Sequence, residues 1–177
     1  MRPTRTEDFN KEPRRCDAYH EAGHAVIGVI LNLRLNTVTG VDNGRTPPNC
    51  SWDYSEIDRL QNTSDDHNNS EEIYEFTRNH AMMCLASKYA ERLACDTSSD
   101  EQEESLHYDY LDAERIRYNC TGNYLGKTLV GQLRNTTETL VQQHRTAIER
   151  VAKQLLNGQT LNHAQILSLI RDDGSPP

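Results

Sequence analysis

The chain is short of the residues that build large apolar cores. Its 177 residues include one Trp, two Phe and three Met, and the apolar fraction is 35%. So lean a composition predicts solvated loops around a compact helical centre. Nowhere do apolar residues run for the roughly eighteen positions that a bilayer span requires, so no membrane partner is expected. Met1–Pro13 is polar and charged, which makes a secretory leader unexpected and a cytoplasmic location the expectation. Positive charge is also scarce. With 19 Lys and Arg against 27 Asp and Glu, the formal net charge is −8, and no basic footprint for nucleic acid is present. The five cysteines form no C-x-x-C pair and are odd in number. That pattern suggests neither a zinc knuckle nor a closed disulfide framework, and predicts reduced thiols used as small hydrophobes.

Against this background one stretch stands out, Tyr19-His20-Glu21-Ala22-Gly23-His24-Ala25-Val26-Ile27. It reads H-E-x-x-H within a helix-periodic run predicted over residues 14–33. Residues four apart share a helix face, so His20 and His24 can aim two imidazole nitrogens at one point. From Ala22 onward the run is apolar on nearly every side, and a helix apolar all round is a buried one. Two buried imidazoles without partners would cost a few kcal/mol, and a metal ion would satisfy both at once. Neutral imidazoles suit zinc, and Glu21 stands where it can take a proton from a water held there. Gly23 costs about 1 kcal/mol against Ala in a helix interior; its missing side chain would let another element approach the site.

Around that helix the chain reads as one domain over residues 14–171, with a loose arm over 1–13 and a tail over 172–177. The β-branched residues of Leu35–Val41 predict a short strand. Residues 42–70, with Asn43-Gly44, Pro47-Pro48 and a polar run, read as a long solvated insertion. Helical periodicity returns over Glu71–Ala94, with Ser70 as cap and acids in the first turn. The acidic stretch 96–104 reads as a loop, and 105–119 as a further helix. A long helix is predicted over 128–156, ended by Asn157-Gly158. A final helix starts at Asn162, with Gln165 completing a capping-box-like pair and Leu161 facing Ile166 as a staple.

A catalytic zinc takes three protein ligands and one open position. Spacing alone leaves the third open: His80, Glu91, His107, Asp109 and Asp112 are all chemically able. Peptide hydrolysis is the reaction this arrangement most often serves, with Glu21 as general base.

Tyr19–Val26 (YHEAGHAV) resembles the active-site helix of the FtsH-type zinc metalloproteases, the peptidase domain of membrane-bound AAA proteases. Val38–Gly40 stands where that family has the strand beside its substrate cleft. Cys84–Ala94 (CLASKYAERLA) resembles a family helix and places Glu91 on a family glutamate. Asp109, four residues before Ala113, resembles the aspartate that supplies the third zinc ligand, although Tyr108 and Glu114 replace the family's Asn and Thr. Leu155–Ile170 resembles the C-terminal L-L-x-x-E-T-L pattern. The resemblance implies a mainly α, FtsH-peptidase-like helical domain with a small β element next to the zinc helix. It further implies one Zn2+ per chain on His20, His24 and Asp109, Glu21 as catalytic base, and a protein or peptide substrate. A hexameric ring would follow by the same analogy. These residues contain no Walker A loop, so the expected substrates are flexible segments or chains delivered by a separate ATPase. The competing expectations are a non-catalytic zinc-bound adaptor of the same fold and a dedicated regulatory protease with one protein target.

Overall fold

The computed structural model describes residues 11–40, 47–62, 70–95 and 127–171. It is mainly helical with a small sheet, as the sequence predicts. Helix α1 (Lys11–Ile30) is the central element and packs chiefly against α3 (Ser70–Glu91) and α5 (Arg145–Leu156). Every residue from Glu21 to Val29 is buried, which is the outcome expected of a helix without a polar face.

Gly23 is the contact point between α1 and α3. A Cβ there would lie 2.6 Å from the Ala90 Cβ and 2.9 Å from the Ala86 carbonyl oxygen. Glycine therefore sets how closely α3 approaches the H-E-x-x-H turn. At its far end α1 stops at Asn32, which adopts φ 62°. Leu33 N–H donates to the Gly28 carbonyl at 2.9 Å and Asn32 N–H to the Val29 carbonyl at 3.1 Å. This pair of bonds closes a helix through a left-handed residue, a conformation Asn tolerates better than most. The buried Leu33 then turns the chain into the sheet.

Strand β1 (Leu35–Thr39) lies between β2 (Asn49–Trp52) and β3 (Thr160–Asn162), and both pairings are antiparallel. Val38, fully buried, pairs with Cys50 on one side and Leu161 on the other. Helix α4 (Lys127–Gln143) packs on α3, and α6 (His163–Arg171) follows β3. The expected capping pair at the start of α6 is present: Asn162 N–H donates to Gln165 Oε1 at 2.9 Å, and Gln165 N–H donates to Asn162 Oδ1 at 3.1 Å.

Three expectations change. The stretch 42–70 is not wholly loop, because β2 and α2 (Ser55–Asn62) form within it. The helix predicted over 128–156 is interrupted at His144, although hydrogen bonds of 3.0 Å run through it from His144 N–H to Leu140 and from Ile148 N–H to the His144 carbonyl. The cysteines are not all reduced thiols: Cys16 and Cys95 form a disulfide, while Cys50 and Cys84 remain thiols. The bridge joins residues 79 apart in sequence, a proximity that pairing counts cannot reveal. The helix predicted over 105–119 lies outside the described residues.

Candidate metal centre

His20 and His24 sit one turn apart on α1 and turn their rings edge to face, with centroids 4.7 Å apart. Each ring is fixed from behind by α3. His24 Nδ1 lies 3.0 Å from the Met83 carbonyl oxygen. A carbonyl only accepts, so Nδ1 carries a proton, and in the neutral ring Nε2 presents its lone pair. His20 Nδ1 lies 2.5 Å from Glu91 Oε1, and an ionised carboxylate likewise makes Nδ1 the donor. The two Nε2 atoms face each other at 3.1 Å.

Two lone pairs at that separation repel unless a proton or a metal ion lies between them. Two nitrogens bound to one tetrahedral zinc, at Zn–N distances of about 2.0–2.1 Å, stand about 3.3 Å apart. The observed separation is close to that value. Carboxylate and carbonyl partners behind metal-bound imidazoles are also the usual means of fixing tautomer and ring orientation. The donor pair therefore fits zinc.

Glu21 is 7% exposed, and its Oε2 is buried with no hydrogen-bond partner among the described residues. An unpaired buried carboxylate oxygen is costly, and here it stands beside the imidazole pair, lining the same cavity of about 190 Å³. Strand β2 closes the other wall. Cys50 Sγ donates to the Glu21 carbonyl at 3.4 Å, which holds the strand against the motif turn. Trp52 and His80 complete that side. A larger cavity of about 490 Å³ shares Trp52, Tyr54 and His80 with the first and extends between the start of α2 and the first half of α3. On its rim, the Ser55 backbone N–H holds the Asp53 carboxyl below its ordinary range, and Arg59 does the same for Glu56.

Of the residues singled out from sequence, His20, Glu21 and His24 are brought together. Glu91 is joined to them on the Nδ1 side of His20, opposite Nε2, so it supports the ring. His80 lines the cavity, with its Nδ1 3.6 Å from Cys84 Sγ. His107, Asp109 and Asp112 lie outside the described residues. Among the described residues no group of three or more His, Cys, Asp and Glu is arranged to hold a metal.

Sequence reasoning missed Cys50, Trp52 and the Met83 carbonyl. Asn49–Trp52 is too short and polar to signal a strand. The carbonyl leaves no trace in sequence, because every residue has one. No protein-family model matches the chain, and no curated protein matches it. No described helix is long and apolar enough to cross a membrane.

Proposed function

We propose that this protein is a zinc-dependent endopeptidase that cleaves flexible or unfolded protein segments. The observation that carries the proposal is the convergence of the His20 and His24 Nε2 atoms at 3.1 Å, each ring backed through Nδ1, next to a Glu21 Oε2 that has no partner among the described residues. His20 and His24 would hold the ion, with Asp109 as third ligand by resemblance to the FtsH-type peptidases. Zinc bound there would supply a Lewis acid and bring the pKa of a bound water to about 7.

The chain's own groups do the rest. Glu21 Oε2 takes the proton of the attacking water and returns it to the departing amine nitrogen. Glu91 and the Met83 carbonyl hold a proton of each imidazole on Nδ1 and keep Nε2 correctly aimed. Strand β2 has β1 on one side and no second strand among the described residues on the other. Its outer edge could pair with an extended peptide, which favours substrates already unfolded. Delivery by a separate ATPase and assembly as a ring belong to the same proposal.

Zinc content and casein cleavage test this reading together. One zinc per chain is expected, with cleavage lost on chelation and restored by added zinc. Undiminished cleavage by metal-stripped protein would exclude it.

A further inference from the structure

Helix α3 ends at Glu91, the residue whose carboxylate fixes His20. Terminal turns are where helices fray, so this is a weak place from which to position a metal ligand. The disulfide lies at this weak place. Cys16 is four residues before His20 on α1, and Cys95 is four residues after Glu91. The half-cystine Cα atoms are 6.0 Å apart. Cys95 N–H donates to the Glu91 carbonyl at 2.9 Å, as does Ala94 N–H, so the chain carrying Cys95 continues the turn that carries Glu91. The covalent link between α1 and α3 is thus one turn from the hydrogen bond that orients His20.

We propose that the Cys16–Cys95 disulfide is a positioning element of the metal centre. It clamps the end of α3 onto α1 and so holds Glu91 against His20 Nδ1, which keeps Nε2 aimed at the ion. A bridge serving only global stability could join any two surface loops; this one spans the two elements, and the two turns, that the His20–Glu91 pair spans. The inference rests on the zinc reading for its consequence, though not for its geometry.

The test is a double-mutant cycle between the bridge and Glu91. Cys16→Ser/Cys95→Ser is made in the native chain and in Glu91→Ala, and zinc affinity is measured by competition with a chromophoric chelator at a temperature where all forms are folded. Loss of an outer partner of a metal ligand typically costs 10–100-fold in affinity. Removing the bridge is expected to weaken zinc about tenfold in the native chain and to add nothing in Glu91→Ala. Unchanged affinity, or losses that multiply independently, would overturn the proposal. If serine at the buried Cys95 unfolds the protein, Cys16→Ala/Cys95→Val replaces it. A metal-free readout separates this idea from the zinc reading: the ring 15N shifts of His20 should move on bridge removal toward those of Glu91→Ala. If the native chain binds no zinc, the zinc reading fails, and the His20 shifts alone then decide whether the clamp exists.

Discussion

Glu91, the last residue of α3, accepts a hydrogen bond of 2.5 Å from His20 Nδ1, 71 residues earlier in the chain. Through that bond a carboxylate on the Nδ1 side of the ring draws a proton to Nδ1 and fixes where Nε2 points. Replacing it with alanine should weaken zinc binding by about 10–100-fold while the fold persists. Glu91→Gln, which keeps an acceptor oxygen without the charge, should lose less. Chelator competition on the two variants checks the order.

Asp109 is the proposed third ligand, by resemblance alone. Asp109→Ala should lose most of its zinc and its peptidase activity together, since two imidazoles alone leave the ion weakly held. Metal analysis of the purified variant decides this. Retained zinc with full activity would remove Asp109 from the site and turn attention to His107 and Asp112.

The approach of α3 to α1 gives a prediction about packing. Alanine at Gly23 would gain about 1 kcal/mol of helix propensity. Its Cβ, however, would meet the Ala90 side chain at 2.6 Å and the Ala86 backbone at 2.9 Å. Overpacking against backbone costs about 1–3 kcal/mol, so Gly23→Ala should be destabilising overall. Because Ala90 adjoins Glu91, zinc affinity should fall as well. Denaturant unfolding and metal titration of the same variant read both effects.

Tyr89, on the buried part of α3, has its hydroxyl pKa pushed above the ordinary 10.0, first by burial and then by the Glu138 charge. Between 10.0 and that higher value the folded state holds a proton that the unfolded state has lost. Stability must therefore fall as pH rises through this window, and the contribution is intact below it. Tyr89→Phe should show a shallower alkaline decline than the native chain in unfolding measured on either side of the window.

The parts of this architecture legible in the sequence are those with local causes. The burial of α1 follows from its lack of a polar face, the approach at Gly23 from the missing Cβ, and the start of α6 from Asn162 and Gln165 bonding each other. The imidazole pair was equally legible, since four-residue spacing is a property of the helix itself. What escaped is non-local. Strand β2 exists because β1 offers it an edge, not because Asn49–Trp52 favours a strand. The Cys16–Cys95 pairing and the backing of His24 by Met83 both depend on how α3 lies across α1. Glu91 is intermediate: its chemistry made it a candidate ligand, and only the packing shows that it faces Nδ1 of His20.

The central claim is that Glu21 moves the proton in peptide hydrolysis at a zinc held by His20 and His24. The most direct measurement compares the native chain with Glu21→Gln for zinc content and for cleavage of casein in the same preparation. The account predicts equal zinc in both proteins and cleavage by the native chain alone, with the variant's rate at least a hundredfold lower, on the order of what loss of a general base removes. Equal cleavage by the two proteins would contradict it.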